Sequence, residues 1–114
     1  MSTEKAFKLA VLISGEGSNL QAIIDAIAAG SLSAEIGVVI SDQERANGLN
    51  RARKAGIDCS VVKAIKGQSR EEYDQRLLEA LSPYTPDLIV LAGFMRILSA
   101  PFVRQLAGKI INIH

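Results

Sequence analysis

The sequence predicts an α/β fold, a Rossmann-like parallel sheet of about five strands with helices on both faces. Three observations carry this reading. Five short apolar runs, Leu9–Ile13, Ile36–Ile40, Ile57–Val62, Leu88–Ala92 and Ile110–His114, are separated by four helical patterns. The runs are too apolar to alternate, as expected of strands covered on both sides. The first run enters a loop containing Gly15 and Gly17 and leaves it as a helix. In that order, glycine lets an anion approach the free N–H groups and positive end of a helix amino terminus.

Taken in order, the first helix carries Leu20, Ile23, Ile24 and Ile27 on one face. Ser18 with Gln21 reads as its capping box and Gly30 as its carboxyl-side stop. The second run follows, and Ala46–Lys54 is a short helix ended by Gly56, leading into the third run. Ser69 with Glu72 is a further capping box, opening a helix with Tyr73, Leu77, Ala80 and Leu81 inward and Pro83 and Pro86 closing it. After the fourth run, Ser99 and Pro101 start a helix with Phe102, Val103 and Leu106 inward, and Gly108 ends it. The fifth run reaches His114.

The bulk numbers bound the function. A length of 114 residues suits one domain able to bury one sheet between helices. Hydrophobic residues at 48% and charged residues at 22% are ordinary for a soluble fold. A net charge of +1 leaves no electrostatic footprint for nucleic acid or a membrane surface. The lone Cys59 can form neither an internal disulfide nor a metal site by itself, and no metal is expected. Inside an apolar run it reads as a small, unreactive packing residue. No apolar run reaches membrane-spanning length, and Met1–Lys8 is too short and polar for a signal peptide, so a cytoplasmic enzyme is expected.

In a parallel sheet, ligands bind beyond the carboxyl ends of the strands, where strand order reverses. Four segments should share that rim: Ser14–Asn19, Ser41–Glu44, Gly93–Leu98 and Asn112–His114. Asn112 and His114 lie two apart in a strand and so face the same side. An amide beside an imidazole suits acyl chemistry, one stabilising an oxyanion while the other moves a proton. Each feature also has a plain structural reading. A glycine pair after a strand is often a tight turn, and Phe94, Met95, Ile97 and Leu98 fit core packing. Arg70 fits a solvated surface charge and His114 an exposed, idle terminus.

Four motifs then occur in one order: S-G-x-G-S-N-L at Ser14–Leu20, S-R-E-x-Y-D at Ser69–Asp74, D-L-I-V-L-A-G-F-M-R-I-L at Asp87–Leu98, and N-I-H at Asn112–His114. Together they resemble the folate-dependent phosphoribosylglycinamide formyltransferases of purine synthesis, over nearly the whole chain. The resemblance implies the amino-terminal part of the formyltransferase fold, as a single nucleotide-binding domain over residues 1–114. It implies transfer of a formyl group from 10-formyltetrahydrofolate to the amine of phosphoribosylglycinamide. Gly17, Ser18 and Asn19 match that family's ribonucleotide site, chiefly its 5′-phosphate. Arg70, Met95, Arg96, Ile97, Leu98 and Asn112 match its folate contacts, and Asn112 and His114 match two members of its catalytic trio.

Two departures shape the expectations. Glu16 lies between the loop glycines and must point away from a bound phosphate or weaken its binding. The third catalytic group of the family is an aspartate downstream of N-I-H, so no residue here takes its role. Two alternatives stay open: a formyltransferase acting on methionyl-tRNA, and a non-catalytic nucleotide-binding or regulatory module. The first lacks the basic excess of a tRNA binder. The second has Leu20 where the dinucleotide fingerprint wants a third glycine, with Asp42 its one ribose-binding candidate. These 114 residues alone are expected to show little or no formyl transfer, and turnover by a purified chain of this length would contradict that.

Overall fold

A computed structural model of the protein describes residues 6–113. The elements run β1 (Lys8–Ile13), α1 (Ser18–Ala28), β2 (Glu35–Ser41), α2 (Asn47–Lys54), β3 (Cys59–Val61), α3 (Arg70–Leu81), β4 (Leu88–Ala92), α4 (Ala100–Gln105) and β5 (Ile110–Ile113), with a 3-10 turn at Ser82–Tyr84 before β4. The strands form one parallel sheet in the order β3-β2-β1-β4-β5.

Strand β1 is central, and its residues Ala10–Ile13 have no solvent exposure. Successive side chains point to opposite faces, so one apolar run feeds two cores. Leu9, Val11 and Ile13 pack with Leu20 of α1 and Leu49 and Ala52 of α2. Ala10 and Leu12 pack with Tyr73, Leu77 and Leu81 of α3 and Phe102 of α4. Helices therefore cover both faces, as the unbroken apolar runs required. Cys59 is half-buried, and burial pushes its thiol pKa up, with the nearby Arg53 charge pulling the other way.

Several local expectations need correction. The residue capping α1 is Gly17, in the left-handed region at φ 78° and ψ 28°, and no side chain caps the helix. Ser18 is the first helical residue, which makes Leu20 the third and leaves Gln21 out of register for a capping box. The Gln21 amide donates instead to Asp25 Oδ1 at 2.9 Å. The third strand is shorter than its apolar run, because only Cys59–Val61 pairs with β2, opposite Val39–Ser41. Ala46 caps α2 rather than beginning it. Val103 is 43% exposed, because α4 is short and Phe102 and Leu106, four apart, define its inward stripe. His114, expected to end β5, lies outside the described residues.

The capping box of α3 forms as expected. Ser69 Oγ accepts from the Glu72 N–H at 3.1 Å, and Glu72 Oε1 accepts from the Ser69 N–H at 3.1 Å. The two serines should therefore respond differently to truncation. Ser69→Ala is expected to cost about 1 kcal/mol, and Ser18→Ala less than about 0.5 kcal/mol. Urea midpoints at constant slope measure both, and equal losses would show that Ser18 caps α1 after all.

Candidate functional site

Strand order reverses between β1 and β4, which lie side by side although three helices and two strands separate them in sequence. The crevice beyond their carboxyl ends is the place such sheets reserve for ligands. A cleft of ≈ 260 Å³ opens there, lined by Ser14, Glu16, Gly17, Asn19, Gly93 and Met95 among others. A larger concavity of ≈ 490 Å³, with Pro86, Ile89, Leu106 and Lys109 in its wall, lies at the opposite end of the sheet. Its lining includes none of the motif residues expected to act.

The glycine loop owes its path to a close backbone approach. The Gly48 N–H at the start of α2 donates to Gly15 O at 3.0 Å. A Cβ on Gly17 would lie 2.6 Å from Gly48 Cα, so no side chain fits there, and the positive φ already favours glycine. A Cβ on Gly48 would collide with Ile13 Cδ1 and come within 3.2 Å of Gly17 Cα. Arg51, one turn further along α2, donates from Nε to Glu16 O at 2.7 Å. Its guanidinium also sits 3.5 Å from Glu16 Oε2, and the Asn47 amide donates to that oxygen at 3.2 Å. The Glu16 carboxylate is thus drawn toward α2, as required if an anion is to sit at the start of α1. With no capping side chain, the first-turn N–H groups of α1 and its positive end face the cleft.

The opposite wall is the segment after β4. Gly93 takes φ 77°, and the chain then runs with alternating exposure: Phe94, Arg96 and Leu98 are half-buried, whereas Met95 and Ile97 are 79% and 71% exposed. Phe94 and Leu98 pack against the α3-side core, so they are the packing residues of this segment and Met95 and Ile97 are not. The Met95 N–H donates to Ser14 Oγ at 2.8 Å, tying the two walls together.

Other expected residues are not part of this cleft's lining. Arg70 is exposed at the first position of α3. Asn112 is exposed on β5 opposite Leu91 of β4, and Leu91 packs on the α3 side of the sheet. Neither lines the glycine-loop cleft. His114 is outside the described residues. Asp42, at the end of β2, is 7% exposed and its Oδ1 has no partner. Tyr73 is 2% exposed, and its pKa is pushed up to about 12, first by burial and then by the Asp42 charge. Among the described residues, no three His, Cys, Asp or Glu side chains are grouped to hold a metal ion, and no helix is long and apolar enough to cross a membrane.

Sequence reasoning missed Gly48, Arg51 and the Ser14 hydroxyl. Gly48 left a signal, because glycine in the first turns of a helix is costly unless another backbone must come close. Arg51 left none, since its partner is a main-chain carbonyl 35 residues away.

Comparison with known proteins fits this geometry. Residues 7–114 match the Formyl transferase family. The chain is 50% identical over 106 residues to the phosphoribosylglycinamide formyltransferase of Escherichia coli (strain K12), covering 93% of this chain and 50% of that protein. It is 45% identical over 111 residues to the trifunctional purine biosynthetic protein adenosine-3 of Homo sapiens, covering 97% of this chain and 11% of that one. The solved phosphoribosylglycinamide formyltransferase of Coxiella burnetii superimposes with a TM-score of 0.91 at 45% identity, over 96% of this chain and 52% of that one. The chain therefore spans about half the length of these bacterial relatives.

The loop contact makes an expected outcome. Gly48→Ala should destabilise the protein by about 1–3 kcal/mol through overpacking against Ile13 and Gly17. Gly15→Ala, whose Cβ would meet nothing within 4 Å, should be nearly neutral. Thermal melts of the pair decide it, and a neutral Gly48→Ala would remove the contact as the loop's constraint.

Proposed function

The chain belongs to the formyl transferase family, and from that footing we propose that its full-length enzyme moves a formyl group from 10-formyltetrahydrofolate to the amine of 5-phosphoribosylglycinamide. The observation that carries this is the start of α1, free of any capping side chain, beside a cleft whose other wall is Gly93 and Met95. Backbone amides and the helix end there suit a phosphate, and the pairing of Glu16 with Arg51 and Asn47 offsets part of its repulsive charge. Gly17, Ser18 and Asn19 hold the ribonucleotide in this reading. Met95 and Ile97 offer exposed apolar surface and, with the backbone of Arg96 and Leu98, a face for the flat pterin of the folate. Arg70 and Asn112 complete the folate contacts.

In the reaction, the substrate amine attacks the formyl carbon, and the carbonyl electron pair moves to oxygen. The bond from that carbon to the folate nitrogen then breaks. The amine loses one proton, and the folate nitrogen gains one. Asn112 donates a hydrogen bond to the developing oxyanion, and His114, by family resemblance, is its protonated partner. Loss of one such donor typically raises the barrier by ~3–4 kcal/mol. Residues 1–114 form the nucleotide-binding part of this enzyme. It acts on small molecules in the cytoplasm, with no metal.

Titration calorimetry tests the reading. The full-length enzyme should release or absorb heat with phosphoribosylglycinamide and give none with NAD, adenosine phosphates or methionyl-tRNA. Asn19→Ala should weaken ribonucleotide binding by about tenfold, which is ~1.4 kcal/mol, with melting largely intact. Binding of NAD without the ribonucleotide would sink the proposal. A sharp fall in melting would make Asn19 a turn residue instead.

A further inference from the structure

The segment after β4 is fastened at three points, and each fastening comes from a buried side chain. The Met95 N–H donates to Ser14 Oγ at 2.8 Å, and Ser14 is 9% exposed. The Arg96 guanidinium lies 4.2 Å from the centroid of the Tyr73 ring, and Tyr73 is 2% exposed. The Ser99 N–H donates to Asp74 Oδ2 at 2.7 Å, and Asp74 is 3% exposed.

Tyr73 and Asp74 are neighbours on α3, so one turn of one helix holds both the middle and the end of the segment. Tyr73 is itself anchored, because its hydroxyl donates to Val62 O at 2.6 Å. The ring face, rather than a hydrogen bond at Nε, orients Arg96, whose Nε is buried without a partner. Arg96 is flanked by Met95 and Ile97, the two most exposed of the large apolar residues among those described. The chain bends at Arg96 and exposure alternates about it, so fixing the inward Arg96 restricts the direction of its two outward neighbours.

We propose that Tyr73 and Asp74 are positioning residues, which clamp Arg96 and Ser99 from α3 so that Met95, Ile97 and the backbone between them present a preformed face to the folate. The inference rests on the reading of that face as the folate contact. It gives Tyr73 and Asp74 of S-R-E-x-Y-D a part in cosubstrate binding without contact to the cosubstrate.

The test uses Tyr73→Leu, Tyr73→Phe and Arg96→Gln in the full-length enzyme. Tyr73→Leu should raise KM for 10-formyltetrahydrofolate by about tenfold, the scale of losing a desolvated cation–π contact. KM for the ribonucleotide should stay within about twofold, since a uniform defect would move both. Tyr73→Phe keeps the ring face and should restore the folate KM. Amide hydrogen exchange at Met95, Arg96 and Ile97 in the ligand-free protein should quicken in Tyr73→Leu and Arg96→Gln, and remain slow in Tyr73→Phe. Should Tyr73→Leu fail to fold, the half-buried Arg96→Gln severs the same contact from its other side. An unchanged folate KM in a folded variant, equal rises in both KM values, or unchanged exchange would overturn the positioning role. Failure of the unsubstituted enzyme to use the folate at all would instead overturn the functional reading, which separates the two.

Discussion

The backbone approach between the glycine loop and the first turn of α2 is the constraint on which the candidate site depends. Gly17 Cα and Gly48 are so close that neither position has room for a side chain, and the Gly48 N–H bond to Gly15 O closes the contact. Ile13, fully buried at the end of β1, forms the floor against which Gly48 rests. This contact turns the chain sharply out of the central strand, so that Gly17 caps α1 from a left-handed conformation. A conventional serine cap would have spent the first-turn amides on a side chain. Here the helix end is kept for something else.

The same contact explains how an acidic residue is tolerated in the loop. Glu16 is mostly exposed, and an exposed ion pair contributes little stability, typically less than about 1 kcal/mol. Its consequence is directional. Arg51 binds both the Glu16 carbonyl and, more loosely, its carboxylate, while Asn47 takes the same carboxylate oxygen. The negative charge is thereby held against Arg51 and Asn47 of α2. Attraction of an anion then rests on main-chain dipoles and the helix end, as in other glycine-loop sites.

The fold was legible because its signals are local and repeated. Runs such as Leu9–Ile13 and Leu88–Ala92 are apolar at every position, and only a strand covered on both faces uses such a pattern. The box at Ser69 and Glu72 was readable because both partners lie within one helical turn. The apparent box at Ser18 and Gln21 failed for a nonlocal reason: the approach of Gly48 moved the cap one residue earlier. The outward turn of Met95 and Ile97 was hidden in the same way. Composition favours burying them, and only the packing of Phe94 and Leu98 onto the α3 face decides which residues point out. Arg51, Ser14 and Tyr73 act on partners 35, 81 and 11 residues away, at separations no periodicity reports.

The topology also dictates how a substrate must lie. The start of α1 follows β1, whereas Asn112 is on β5, and β4 runs between them. Two parallel-strand spacings separate those lines, roughly 10 Å. On the proposed reading, a molecule with its phosphate at α1 and its reacting amine near Asn112 must stretch across the end of β4. Gly93 to Leu98 leaves from that end, so the proposed folate face begins where the ribonucleotide passes. Ser14 opens the glycine loop and accepts the Met95 N–H, giving both surfaces one positional reference. On that reading, a loop and a segment so joined would hold the distance between amine and formyl carbon through the paired strands β1 and β4, and not through either loop alone. That placement favours attack through proximity, which is worth most where both reactants are held by the same framework.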